Sequence, residues 1–230
     1  MYNNSVMSKV SRGNKGEKQI KDVLGKIKTY HKVLNDITFV NEKSEMTHQI
    51  DHILIHPHGV FVIETKNYYG NIISDTHDSF WVKEVRGESI KINNPLKQNK
   101  SHSVIVNRLL NKKYDVIPVV VFVKNNAPYI GDENVINKKD LLLFVDSYPY
   151  EKELTKEDID YIYKTLKSNK SDTSKKEHIE NIGYLKQIKK EIKDEISYAI
   201  ESGTCPRCDS KMIVDGYRYH CSKCDFKFKL

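Results

Sequence analysis

The sequence predicts an α/β protein: a mixed sheet covered by helices, followed by a much smaller module at the C-terminus. Three observations carry this. The run VIPVVVFV (116–123) is apolar without a break, as in a strand buried on both faces. Amphipathic helical spacing recurs on either side of it. All four Cys fall between residues 205 and 224, which sets the last part of the chain apart. A length of 230 residues suits one or two domains.

Ile20, Val23, Leu24 and Ile27 predict a first helix over residues 14–28, with Glu17 in its first turn. Residues 31–40 read as a strand, then a polar loop. HQIDHILIH (48–56) and VFVIETK (60–66) are strands joined by a turn at Pro57, His58 and Gly59, hence an antiparallel hairpin. Weaker strand signals follow around Ile72 and over 80–85. Asn94 as N-cap and Pro95 at the first helical position start a helix to about Leu110, with Val104, Ile105, Leu109 and Leu110 on its buried face. After the central strand, a short strand is expected near 141–145 and a Thr155-capped helix with Asp158 at its third position over 155–167. SNKSDTSKKEH (168–178) reads as a linker. A helix over 177–201 bears the narrow stripe Ile182, Leu185, Ile188, Ile192 and Ile196, to be covered by the main domain or, in a homodimer, by a second copy. The expected division is therefore 1–167, a main domain; 168–203, linker and helix; and 204–230, the Cys module.

Composition narrows the function. Hydrophobic residues at 38% and charged residues at 30% exclude collagen-like and low-complexity disordered chains. A net charge of +7 leans toward a polyanionic partner. The surplus sits at the ends, with seven basic against two acidic residues in 1–28 and six against three in 204–230. The absence of a long apolar stretch or an apolar signal core predicts a cytoplasmic chain without a membrane span. In that reducing compartment, clustered Cys read as metal ligands.

The chemistry-bearing feature of the large domain is Asp51 on one hairpin strand with Glu64 and Lys66 on the next. If Ile55 pairs with Val60, Asp51 falls opposite Glu64, and Lys66, two residues on, shares their face. A three-residue loop with Gly59 left-handed would shift the register by one and put Glu64 on the other face. Two carboxylates about 4 Å apart repel by about 4 kcal/mol at an effective dielectric of 20, a cost that a divalent cation removes. All-oxygen ligation suits Mg²⁺, or Mn²⁺, with a Lys beside it to orient water and stabilise charge on a phosphate. The spacing alone also fits charges on the solvent face of a hairpin. His48, His52 and His56 lie on the face opposite Asp51, and Trp81 reads as packing.

Taken together, GNKGEK (13–18), QIDHILIHPHGVFVIETKNYYG (49–70), Trp81 and NPLKQN (94–99) resemble the nuclease-related domain, NERD, of the PD-(D/E)XK nuclease superfamily over about residues 10–125. The resemblance implies a restriction-endonuclease-like mixed sheet flanked by helices, and hydrolysis of phosphodiester bonds, with DNA as substrate. It further implies Asp51 and Glu64 as metal ligands, Lys66 as the catalytic Lys, Glu17 positioning metal or water, and Gln98 as an accessory residue. Ile50 stands where the superfamily's Pro would precede Asp51. A catalytically silent nucleic-acid-binding or adaptor protein on the same fold is the alternative.

At the C-terminus Cys205, Cys208, Cys221 and Cys224 form two CxxC knuckles twelve residues apart, the pattern of a closed tetrahedral Zn²⁺ site. The intervening residues suit a hairpin of 211–214 against 217–220 turning at Asp215 and Gly216. The module is similar to the zinc ribbons of bacterial type I topoisomerases, which touch DNA. Its interleaved basic and aromatic residues, Arg207, Lys211, Arg218, Tyr219 and Lys223 among them, suit phosphate contact plus base stacking.

Overall fold

The computed structural model describes residues 2–41, 46–74, 78–128, 134–173 and 175–229. The polar loop expected after the first strand falls largely on 42–45, outside the described residues. The chain divides into two compact units, Met1–Ser174 and Lys175–Leu230.

The first unit is built on a five-stranded mixed sheet of order β1-β2-β3-β7-β8, from β1 (Lys32–Val40), β2 (Thr47–His56), β3 (Gly59–Lys66), β7 (Val116–Phe122) and β8 (Val135–Asn137). β1, β2 and β3 pair antiparallel, and β3, β7 and β8 pair parallel. β7 is thus enclosed between β3 and β8, and its Val119 to Phe122 are fully buried, which explains its uninterrupted apolar sequence. Side chains alternate across the sheet and feed two cores. Ile53, Ile55, Val60 and Val62 pack with Ile105 and Val106 of α2 (Pro95–Leu109) and Ile159, Ile162 and Leu166 of α4 (Lys156–Ser168). Leu54, Phe61, Ile63, Val119 and Val121 pack on the opposite side with Ile20 and Leu24 of α1 (Tyr2–Leu24) and Leu141 and Val145 of α3 (Leu141–Ser147). A mixed sheet flanked by helices is the fold class that the sequence implied.

A separate antiparallel sheet, β4 (Asn71–Ile73), β5 (Phe80–Val85) and β6 (Glu88–Asn93), follows β3. It seats Trp81, fully buried, against Phe122 and Ile72. The caps are as the sequence predicts. Asn94 Oδ1 accepts from the Leu96 and Lys97 amides, and Thr155 and Asp158 form a reciprocal capping box.

Several expectations are corrected. α1 begins at Tyr2 and ends at Leu24, so Glu17 lies deep within it rather than in its first turn, and Ile27 packs from beyond its end. Residues 141–145 are helical: Leu141 and Val145, one turn apart, are buried while Leu143 between them is 71% exposed, which is a helix period. The strand of this region is β8 instead. Val104 of α2 is exposed, and the buried face is carried by Ile105 and Val106 with Asn99 and His102. β6 has no counterpart in the sequence reading.

The second unit comprises α5 (Lys175–Ser202) and a three-stranded sheet of β9 (Met212–Asp215), β10 (Arg218–Cys221) and β11 (Lys227–Lys229). Arg218 pairs with Asp215, so the turn is Gly216–Tyr217, one residue later than expected, with Gly216 at φ 58°. Of the α5 stripe, Ile192 is exposed and Ile182, Leu185, Ile188 and Ile196 are half-buried.

Candidate functional site

The β2–β3 register decides where the carboxylates lie. Ile55 pairs with Val60 and His52 with Ile63, the first of the two registers considered, and continuing it sets Asp51 opposite Glu64. Both are buried, at 8% and 4% exposure. Because β3 is also paired with β7, Glu64 and Lys66 stand beside Val120 and Phe122 rather than on an open hairpin face. The solvent-face reading of these charges therefore does not hold.

Lys66 Nζ lies 2.6 Å from Glu64 Oε1 and 3.2 Å from Gln98 Oε1. Gln98 reaches it because α2 is fastened to the sheet next door: the fully buried Asn99 donates from Nδ2 to the Val62 and Val119 carbonyls at 2.8 and 3.0 Å. Asp51 Oδ2 accepts the Thr65 amide at 2.8 Å. Burial, then the charges of Glu64 and Glu17, hold the Asp51 carboxyl well above the usual carboxylate range, against the pull of the Thr65 amide and Lys66. For Lys66, burial pushes the pKa down, but the Glu64 charge, then Tyr68 and the direct Glu64 hydrogen bond, leave it raised.

Glu17 is brought to this end of the sheet by the residue before it. A Cβ on Gly16 would lie 2.9 Å from Asn67 Cβ and 3.4 Å from Thr65 Cγ2, so only glycine lets α1 approach the end of β3 this closely. Asn67 Nδ2 also donates to the Arg12 carbonyl of α1 at 2.8 Å. The structure thus gathers Asp51, Glu64, Lys66 and Gln98 by contact or register, and Glu17 by its electrostatic effect on Asp51.

Three side chains were not singled out from sequence. Gln49 Nε2 donates to Asp36 Oδ1 at 2.9 Å and reaches Asp51 Oδ1 at 3.5 Å. His102 Nδ1 is 3.6 Å from Glu64 Oε2, so Lys66 and His102 flank one carboxylate. Tyr68 perturbs Lys66. The signals were period-based: Gln49 is two residues from Asp51 on a strand, and His102 is one helical turn from Gln98. The other histidines separate. His48 packs edge-on to His102, and His52 bonds Asn35. Burial, with the neighbouring His58, pushes His56 down to about 4.

The residues fit a hard cation. Two buried carboxylates, one of them strongly reluctant to ionise, form an oxygen donor set of the number Mg²⁺ takes from protein. The second candidate centre is the thiol quartet. The Sγ atoms of Cys205, Cys208, Cys221 and Cys224 all lie within 4.8 Å of one another; among the described residues this is the one group of three or more Cys, His, Asp or Glu arranged to hold a metal. Cys205–Cys224 and Cys208–Cys221 approach to 3.5 and 3.4 Å, near the roughly 3.8 Å edge that four sulfurs about 2.3 Å from a tetrahedral zinc would span. Backbone amides of Arg207, Lys223 and Cys224 donate to Cys205 or Cys221 sulfur, as thiolates require. The thiols diverge in acidity. Hydrogen bonds from Ser210, then Cys221, bring Cys208 down to about 6; for Cys224 the Phe226 amide pulls down, but burial and the other three cysteines push it up to about 12. Four sulfurs this close cannot all ionise without a cation.

The ribbon residues named from sequence are dispersed. Arg207 is ion-paired to Glu195 at 3.3 Å and lies 5.0 Å over Phe226. Tyr219 is stacked on Phe228 at 4.7 Å, so that ring is engaged within the ribbon. Arg218, its neighbour on the strand, points to the other face and stands opposite Lys229. Lys211 and Lys223 are exposed.

Residues 12–123 match the family model of the nuclease-related domain. An uncharacterized protein of Bacillus anthracis is 32% identical over 162 residues, covering 67% of this chain and 75% of the relative. No solved structure matches the chain. No helix among the described residues is long and apolar enough to cross a membrane.

Proposed function

The chain belongs to the nuclease-related domain family, and from that membership we propose that it is a divalent-metal-dependent nuclease acting on DNA, with a zinc ribbon that adds nucleic-acid contacts. The observation that carries the reading is the buried Asp51–Glu64 pair with Lys66 and Gln98 at the end of β3. A structural salt bridge needs one carboxylate per Lys. Here a second carboxylate, Asp51, is buried beside that pair, its pKa raised by burial and by the charges of Glu64 and Glu17.

A bound Mg²⁺ supplies Lewis-acid polarisation of the phosphoryl oxygen and lowers the pKa of water. Asp51 and Glu64 would hold it, the Thr65 amide fixes the Asp51 carboxyl group, and Glu17 approaches from α1. Lys66, kept protonated by Glu64, places a positive charge where the phosphate becomes more negative, and Gln98 fixes the Lys66 head. The Cys quartet would hold zinc in a structural role, its four thiolates supplying the full set of ligands such a site takes. In the ribbon, Arg218, Lys211 and Lys223 are among the exposed basic groups available for phosphate contact.

The test is direct. Purified protein incubated with single- and double-stranded DNA and Mg²⁺ or Mn²⁺ cleaves it, and Glu64→Ala and Lys66→Ala abolish cleavage while DNA binding persists. Cleavage surviving in both variants refutes the site; binding without cleavage by the wild type identifies a silent binding protein instead.

A further inference from the structure

The loop after β3 is fixed on every side of one exposed ring. Asn126 Nδ2 donates to the carbonyls of Tyr68 at 3.1 Å and Gly70 at 2.6 Å, so one amide grips the backbone on both flanks of Tyr69. Gly70 has φ +86°, and a Cβ there would lie 1.9 Å from the Glu84 carbonyl oxygen, which presses this backbone onto β5. Asn67 is tied to α1 through the Arg12 carbonyl. Between these anchors the Tyr69 side chain is 54% exposed. Lys124 Nζ stands 4.5 Å from the centre of its ring. Lys124 is itself exposed and follows Val123, whose amide donates to the Lys66 carbonyl at 2.9 Å. Tyr69 is three residues past Lys66, the last residue of β3, and the ammonium is one residue past the hydrogen bond that closes β7 onto Lys66.

An exposed ring is ordinary by itself; what sets Tyr69 apart is the ordered backbone beneath it and the ammonium beside it. It is well suited to binding, because little further ordering is needed when a partner covers it. An aromatic face beside an ammonium matches one unit of a nucleic-acid strand, a base next to a phosphate.

We infer that Tyr69 and Lys124 form a nucleotide subsite flanking the scissile phosphate, with Tyr69 stacking on an unpaired base and Lys124 taking the adjacent phosphate. A base can cover Tyr69 only when it is out of the duplex stack, so the substrate class is single-stranded DNA or an unpaired end. This rests on the nuclease reading of the carboxylate site, and the probes below read binding separately from cleavage.

The chain's single tryptophan, Trp81, is fully buried, so Tyr69→Trp introduces an exposed indole at the subsite alone. In Mg²⁺-free buffer, a short single-stranded oligodeoxynucleotide quenches the fluorescence of Tyr69→Trp and binds it about as tightly as wild type. Tyr69→Ala weakens binding roughly 5- to 100-fold, the range for one stacked base. On an oligomer of the same length whose residues lack bases, wild type and Tyr69→Ala become equal. Lys124→Gln weakens binding to both oligomers and lowers the salt slope by about 0.7. An absent quench at saturation, unchanged binding by Tyr69→Ala, or an equal loss on the abasic strand overturns the subsite. Cleavage with Mg²⁺ is scored apart. A protein with these binding signatures that does not cut retains the subsite and loses the nuclease reading, and one that cuts without them loses only the subsite.

Discussion

Asp51 is the residue on which electrostatics and chemistry meet. Its carboxyl is raised by burial and by Glu64 and Glu17, so the metal-free protein pays for ionising it. The sign follows from linkage: a carboxyl whose folded pKa lies above the unfolded value of about 3.9 favours the folded state below that value, and this benefit is lost as pH rises through the folded pKa. Without divalent metal, thermal stability therefore falls as pH rises past the ordinary carboxylate range, and Asp51→Asn flattens the fall and raises the melting temperature at neutral pH. Metal binding runs the other way, because protons and cation compete for one site. Adding Mn²⁺ restores wild-type stability at neutral pH and does little for Asp51→Asn. A wild-type profile that rises across the same window contradicts the assignment.

At the scale of elements, two helical glycines should respond oppositely to the same change. Gly16 faces Asn67 and Thr65 at the end of β3, whereas nothing lies within 4 Å of a Cβ on Gly183 in α5. Gly183→Ala should stabilise α5 by about 0.5–1 kcal/mol through helix propensity. Gly16→Ala should lose that gain to crowding, shift Glu17, and lower cleavage by up to about 100-fold, as a displacement of about 1 Å can. Melting curves and rates for both variants check this; equal stabilisation would show that α1 does not depend on the close approach. The hairpin, the Asn94 and Thr155 caps and the buried central strand were legible because each has a local chemical signature. β6 was not: Ile90 and Ile92 alternate on a mostly exposed strand, and its turn at Arg86–Gly87 has φ 53° and 81° without the Asn-Gly or Asp-Gly dipeptide that marks such turns. The run Leu141–Val145 has too many apolar residues for its short length to reveal a period. Parallel pairing of β3 with β7 buries Glu64 and Lys66, and no local pattern reports a pairing between segments more than fifty residues apart. The identities of the candidate site residues were thus readable, while Gln49, His102 and Tyr68 become visible only once sheet and helix are docked.

Across the whole molecule, two metal centres of different chemistry are expected, one in each unit. The ribbon core is small, formed by Ala199, Cys205, Met212, Cys221 and Phe226 with a few partly buried neighbours. Its stability is expected to depend on metal, for which binding is worth about 10–16 kcal/mol in comparable peptides. The carboxylate centre lies in a unit with two extensive cores, which is expected to fold without metal. One measurement separates the two and tests the central claim: titration of the zinc-loaded protein with Mn²⁺, read by electron paramagnetic resonance, for wild type and for Asp51→Asn and Glu64→Gln. One zinc per chain is expected in all three proteins, with one Mn²⁺ site in the wild type that Mg²⁺ displaces and that both variants lose. Mn²⁺ binding that is absent from the wild type, or unchanged in the variants, would contradict it.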